Sequence, residues 1–567
     1  MKKIYKLHRR LSVIIAIPVL LWASSGFMHP LMTNLRPAIA TQGWPAVAVD
    51  SGRLKVPLAE ALRRHHLDSF ANVRLIHIDT NWFYQVQPAV HRMGAAMGLS
   101  ASPAIQPTVP VYLSCTNGNV LAAGDWLYAQ YLARHFLEGK EPAAATPPRT
   151  RKMPMEDMPD CCGAAAEFVL NPVKGAKVAN VSLLTNYDNE YKSINRLLPV
   201  YRVSFARADG IRIYVETTQD RFSFAMDNRR AVFDEIFRLF HTWGWLDALG
   251  KARIAVEFGV ALLAFFTALL GIWLFFTTTA AKGKTNPIVR SRRYHRYTAI
   301  VAALFTLFWS FSGSYHAFTK LIGSGEVAGI PAVNFASIGF DEGRIRAAAG
   351  RPITGISLSQ IDGELYWRVS LLSGPGRREK HDSIQADWHK DLMKDGKAEL
   401  PPVLYISNSD YRVLPDGDRR YAVSLARRFS GQAADAATTQ GTATPPDTES
   451  PAISVTPITT FNDEYNFTDK RLPVWRVSYP DAGNPRPGHP RWYVETSSGQ
   501  LAAFVNDAVY REGYSFSVFH KHHFMDWGGK TVRDGSTMFW AIAQVLMVTM
   551  GLILYFRSRR RNKLPLT

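Results

Sequence analysis

Residues 8–29 read HRRLSVIIAIPVLLWASSGFMH, and residues 295–316 read HRYTAIVAALFTLFWSFSGSYH. The two stretches align without a gap. His8 and Arg9 fall on His295 and Arg296, Trp22 on Trp309, Ser25-Gly26 on Ser312-Gly313, and His29 on His316. Each is apolar over about 20 residues, the length a helix needs to cross a bilayer core. Two further runs of that kind follow, so the expected spans are Leu11–His29, Ile254–Phe276, Thr298–Phe318 and Thr537–Phe556.

The match continues outside the spans, which marks an internal repeat. Ile78-Asp79 pairs with Ile361-Asp362, Gly124-Asp125 with Gly417-Asp418, and Glu190-Tyr191 with Glu464-Tyr465. Leu198–Ser204 (LPVYRVS) pairs with Leu472–Ser478 (LPVWRVS), and Tyr214–Thr217 with Tyr493–Thr496, both YVET. Phe240-His241 pairs with Phe519-His520. Spans 1 and 3 run in one direction, so the repeats are parallel, related by a pseudo-twofold axis along the membrane normal. Matched residues are then expected at equal depth.

A formal charge of +19 suggests nucleic acid until its distribution is read. Sixteen basic residues lie in three short segments without Asp or Glu: Lys2–Arg10, Lys282–Arg296 and Arg557–Lys563. Only +3 is left for the rest. This is the asymmetry of cytoplasmic loops, so no nucleic-acid partner is expected and both termini are placed inside. The basic start and apolar run also fit a signal peptide, but the match to span 3 reads the run as a retained helix. Expected boundaries are residues 1–30 for the N-terminus and span 1, 31–250 for a first external region, 251–277 for span 2, 278–294 for a cytoplasmic loop, 295–318 for span 3, 319–535 for a second external region and 536–567 for span 4 and its tail.

Each external region is interrupted by a Pro/Ala/Thr-rich linker, at about 141–164 and 430–452. Leu58–His66 has helical spacing, while Trp82–Val86 and Tyr366–Val369 alternate as strands. Val200–Phe205 and Ile211–Thr217 read as a hairpin. The expected fold class is membrane α+β: four transmembrane helices from two parallel tandem repeats, each with a large α+β domain, divided into two subdomains per half.

The LPVYRVSF and LPVWRVSY strands, the YVET units, the His-Arg openings of spans 1 and 3, and the FRLFHTWGWLD and FSVFHKHHFMD lead-ins to spans 2 and 4 together resemble the PepSY-associated transmembrane family. The resemblance covers nearly the whole chain. It implies a bacterial inner-membrane protein with periplasmic PepSY-like domains, and a link to iron uptake through haem-containing reductases that release iron from siderophores.

No HExxH, GxSxG or complete phosphate loop is present. The segments read as cytoplasmic are too short for a flavin or nicotinamide domain, so electrons are expected from a quinol or another membrane donor. What remains is histidine. His8 and His295 lie at one end of spans 1 and 3, and His29 and His316 lie 21 residues on, about 31 Å along a helix. His241 and His520 precede spans 2 and 4. Ionisable groups at such depths are costly and mark function, and paired neutral imidazoles are axial ligands for haem iron. Two or three haem b groups are expected, His8 with His295 holding one near the cytoplasm and His29, His316, His241 and His520 holding the others near the outer face. His522 and His523, where the first half has Trp243 and Gly244, read as surface residues or a substrate contact. Met153, Met155, Met158, Cys161 and Cys162 form a soft-ligand set for copper, or a linker whose Cys161 or Cys162 pairs with Cys115. Glu257 reads as a lone intramembrane carboxylate, either reaching for the interface or serving as a proton or quinol contact.

The leading expectation is a reductase passing electrons across the bilayer to a ferric siderophore. Two alternatives stand beside it. One is a non-enzymatic membrane-anchored protein that binds a periplasmic protease or peptide. The other is a copper-binding accessory protein.

Overall fold

The computed structural model describes residues 2–88, 109–139, 176–279, 286–322, 333–334, 338–373, 400–430, 454–479 and 488–561. It is a mixed helix and sheet protein with four helices long and apolar enough to cross a membrane. The chain divides into two units. One, here the helical unit, holds Met1–Arg36, Asn228–Glu326 and Asp507–Thr567. The other, the globular unit, holds Pro37–Asp227 and Val327–Asn506.

In the helical unit the spans run Lys2–Asn34, Lys251–Thr277, Pro287–Ile322 and Gly529–Arg561, and are numbered 1–4. All are longer than their apolar runs, since polar turns extend each helix past the stretch a bilayer selects. Span 1 packs on span 2, span 2 on span 3, span 3 on span 4 and span 4 on span 1. Between spans 3 and 4, Gln544 Nε2 donates to Thr306 Oγ1 at 3.0 Å, both side chains buried. Such hydrogen bonds hold helices together where no apolar driving force separates helix from lipid. Short helices at Asn228–Phe240 and Asp507–Ser515 lead into spans 2 and 4.

The globular unit is built on a seven-stranded sheet. Its strands are β1 (Ser69–Ile78), β2 (Asn81–Pro88), β3 (Val111–Ser114), β8 (Val333–Asn334), β9 (Ile353–Ile361), β10 (Glu364–Leu371) and β11 (Val403–Ser407). The order is β11-β10-β9-β1-β2-β3, with β8 also paired to β1. β1 meets β9 antiparallel, with Arg74 opposite Ser357. Those two residues are each four positions before the matched Ile78 and Ile361, so the join pairs a residue with its own counterpart.

The helices Leu58–Arg64 and Glu342–Ala349 share one continuous core with this sheet, including Leu58, Leu62, Phe70, Val73, Ile345 and Trp367. Each such side chain, fully enclosed, contributes about 1.5–3 kcal/mol. Helices Gly124–Glu138 and Gly417–Ser430 each join this sheet to a four-stranded meander. β4 to β7 (Val178–Leu184, Val200–Phe205, Arg212–Glu216, Arg221–Met226) form the first. β12 to β15 (Ser454–Ile458, Val474–Ser478, Arg491–Glu495, Gln500–Val505) form the second. The hairpin expected at residues 200–217 is thus the centre of a four-stranded sheet, and the helix before each linker packs on the strands after it.

The matched residues make matched bonds. Tyr112 donates to Asp125 at 2.7 Å, and Tyr405 to Asp418 at 2.8 Å. Arg212 pairs with Glu190 and Arg491 with Glu464, both at 2.7 Å, while Tyr214 and Tyr493 donate to the same two carboxylates.

The YVET glutamates depart from that symmetry. Arg221 lies between Glu216 and Glu495, and Arg471 reaches Glu495 at 3.3 Å. Burial raises the Glu495 carboxyl, but the two guanidinium groups outweigh it and hold it below the ordinary range. A depressed carboxyl stabilises the fold above its unfolded pKa and loses that contribution as pH falls through the folded value. Glu495→Gln leaves two buried guanidinium groups underpaired and is expected to cost about 3–5 kcal/mol. It should also flatten the acid limb of stability, measured by urea unfolding from pH 7 downward.

Candidate functional site

All six matched histidines lie in the helical unit, in two groups. At one end, His8 on span 1 faces Gly271 of span 2, and His295 on span 3 faces Gly551 of span 4. A Cβ on Gly271 would stand 3.3 Å from His8 Cε1, and one on Gly551 3.1 Å from His295 Cε1. One turn earlier on each partner helix is backbone: Thr267 beside His8, and the Met547 carbonyl 3.2 Å from His295 Nδ1. His8 Nδ1 is enclosed with no hydrogen-bond partner.

At the other end, the His241 and His520 rings lie with centroids 6.0 Å apart and planes at 85°. At that spacing the two rings could hold one metal ion between them, since imidazole nitrogens bind first-row metals at about 2.0–2.1 Å. Each ring is held in the same way. His241 Nδ1 is 3.0 Å from Ser25 Oγ, and His520 Nδ1 is 3.2 Å from Ser312 Oγ. The Trp22 and Trp309 indoles donate to the carbonyls of His241 and His520, at 2.9 and 3.1 Å. Phe237 stacks on His241 at 4.4 Å and Phe516 on His520 at 4.5 Å.

The serines favour one tautomer. Ser25 Oγ donates to the Leu21 carbonyl at 2.8 Å, and Ser312 Oγ to that of Phe308 at 2.8 Å. A hydroxyl has one proton; with it given to the carbonyl, each serine is the acceptor toward the imidazole. Nδ1 then carries the ring proton, and Nε2 keeps its lone pair. Loss of hydration pushes His241 down to about 3, with His29 adding to the shift. The same cause holds His520 well below its usual range, with His241 and His316 next. Both rings are therefore neutral, the form that binds a metal.

His29 and His316 flank this pair across the same phenylalanines, at 5.4 Å from Phe237 and 4.5 Å from Phe516. They differ in their surroundings. His316 Nδ1 is 2.5 Å from Glu512, whereas His29 lies among Lys521, Lys530, Arg533 and Asp534.

No model of a known protein family matches the chain, and no curated protein matches it. The resemblance drawn from the sequence therefore rests on its motifs alone.

Several expectations need correction. His522 is not a surface residue. It has no exposed area, its Nδ1 is 3.2 Å from Ser536 Oγ, and its ring stacks on Trp309 at 5.4 Å. It occupies the place of Trp243, which stacks on Trp22 at 4.9 Å; both have left-handed backbone before a 3₁₀ turn. His523 pairs with Asp526 at 2.7 Å. Glu257 is not alone, since Arg253 stands 3.7 Å away. Cys115 is a free, fully buried thiol in the globular core. Met153, Met155, Met158, Cys161 and Cys162 lie outside the described residues. Among the described residues no three His, Cys, Asp or Glu side chains are grouped to hold a metal ion.

The supporting residues were the ones sequence reading passed over. Ser25, Ser312, Trp22 and Trp309 were visible as matched positions inside apolar runs. Phe237 and Phe516 stand four residues before His241 and His520. Gly271 and Gly551 carried no signal, because spans 2 and 4 barely match.

Proposed function

We propose that this chain is an inner-membrane reductase that carries haem b and moves electrons across the bilayer to periplasmic, siderophore-bound ferric iron. In this reading the two halves are parallel tandem repeats, the basic segments are cytoplasmic, and the globular unit is periplasmic and PepSY-like. The observation that carries it is the His241–His520 pair. Two neutral imidazoles at ligand spacing, each with Nδ1 turned to a serine, leave two Nε2 atoms as metal ligands and no third protein ligand nearby among the described residues. A porphyrin supplies the four remaining ligands itself, so two histidines complete the site.

The chain's residues divide the work. His241 and His520 are assigned to an outer centre and His8 and His295 to an inner one, where Gly271 and Gly551 let the rings lie close against the partner helices. Ser25 and Ser312 fix ring orientation and tautomer, the role second partners play at metal sites. His29 and His316 edge the outer centre. When bound, haem supplies a reversible one-electron couple. Reduction of the substrate weakens its chelate, because Fe(II) binds hard oxygen ligands less tightly than Fe(III).

The first test is an absorption spectrum of protein purified from haem-replete cells. A Soret band is expected, with a low-spin ferrous spectrum after dithionite; a protein without one ends this reading. His8→Ala or His295→Ala is expected to remove the inner share of that absorbance and leave the outer share.

A further inference from the structure

The second half carries one buried group that the haem reading does not use. His522 has no exposed surface, and its Nδ1 faces Ser536, yet its Nε2 is enclosed with no hydrogen-bond partner. Leaving a buried polar atom unpaired costs about 1–3 kcal/mol, so such an atom asks for a ligand. Around it stand aromatic rings: Phe305 at 5.0 Å, Trp309 at 5.4 Å and Phe524 at 5.4 Å, with Trp540 stacked on Phe305 at 4.0 Å. Phe305, Trp309 and Trp540 belong to spans 3 and 4, which places the imidazole beside the apolar part of those helices. Phe524 is the ring most open to the outside, at 42 % exposed. The first half has Trp243 at this place, whose indole Nε1 is likewise enclosed without a partner but can only donate, so a ring nitrogen able to accept is peculiar to the second half.

We propose that His522 is the polar contact of a site for a quinone head group drawn from the bilayer. The chemistry selects that class. The surroundings suit a flat conjugated ring, the single polar atom suits one oxygen, and the exposed Phe524 edge suits a ligand that arrives through lipid rather than water. Imidazole serves both redox forms, since Nε2 donates to a quinone carbonyl in one tautomer and accepts from a quinol hydroxyl in the other. Ser536 accommodates either tautomer at Nδ1. The site would hold the membrane's two-electron carrier next to His520, whose carbonyl bonds the Trp309 indole. Only this link to electron supply rests on the preceding reading; the binding itself does not.

The test is titration of the full-length protein in detergent with decylubiquinone, read by quenching of tryptophan fluorescence, with decylbenzene as the control for micelle partitioning. Wild-type protein is expected to show saturable quenching that decylbenzene lacks. His522→Leu, with Nε2 gone, is expected to weaken binding at least about tenfold, and His522→Gln, which keeps a donor and an acceptor, to stay within about threefold. Melting temperatures identify any variant that fails to fold, and the glutamine variant decides if leucine does. Equal affinity in all variants overturns the proposal, as does wild-type quenching no different from decylbenzene. Haem-bearing protein that does not bind quinone overturns this inference alone. Protein without a Soret band that binds quinone saturably overturns the haem reading alone.

Discussion

His241→Ala is expected to remove the outer centre outright: the outer share of the Soret absorbance disappears, and electron delivery to a ferric chelate falls by more than about 100-fold. The bound on that effect comes from the serines. Loss of a residue that merely orients a metal ligand costs about 10–100-fold in affinity, so Ser25→Ala should fall in that interval and the ligand itself beyond it. His520→Ala should match His241→Ala, because the two rings face one another at 6.0 Å. The double variant should be no worse than either single one, as for groups acting as a unit. Full haem content in His241→Ala, measured by pyridine haemochrome, would refute the assignment.

The second large effect comes from adding atoms. In Gly551→Leu the new Cβ would lie 3.1 Å from His295 Cε1, with the rest of the side chain entering the space at the ring. Leucine improves a helix interior by roughly 1 kcal/mol over glycine, while overpacking costs about 1–3 kcal/mol. The two nearly offset, so the protein should still fold with a melting temperature within a few degrees of wild type. Inner haem should be lost while outer haem is kept. Gly271→Leu should do the same through His8. A variant that folds with both centres full would show that the glycines serve helix packing instead.

How much of this was legible depends on which force shaped each residue. The four spans could be read because a bilayer demands length and apolarity together, and the histidine groups because matched positions were followed between halves. Strands β1 and β9 were not read, and the reason is burial on both faces: β1 has Val73, Leu75, Ile76 and Ile78 enclosed, so alternation disappears. His522 was misjudged because sequence presented it beside polar Lys521 and His523, while stacking on Trp309 takes it out of water. Gly271 and Gly551 act by what they lack, and a missing side chain leaves no pattern. The serines were visible, but their meaning needed the third dimension, since only the hydrogen bond to His241 or His520 separates them from ordinary helix packing.

The meeting of β1 and β9 bears on how such a chain can be cut. The seven-stranded sheet is continuous only because strands from far-separated parts of the sequence lie side by side. Divide the chain between them and each fragment bears a bare row of backbone donors and acceptors over a shared, now open, apolar core. Such a fragment has one good partner close at hand, another copy of itself, and the self-pairing of Arg74 with Ser357 at matched positions shows the geometry it would use. Half-length versions made for biochemistry should therefore be recovered as dimers or aggregates, and co-expression of the two pieces is the better route to soluble material.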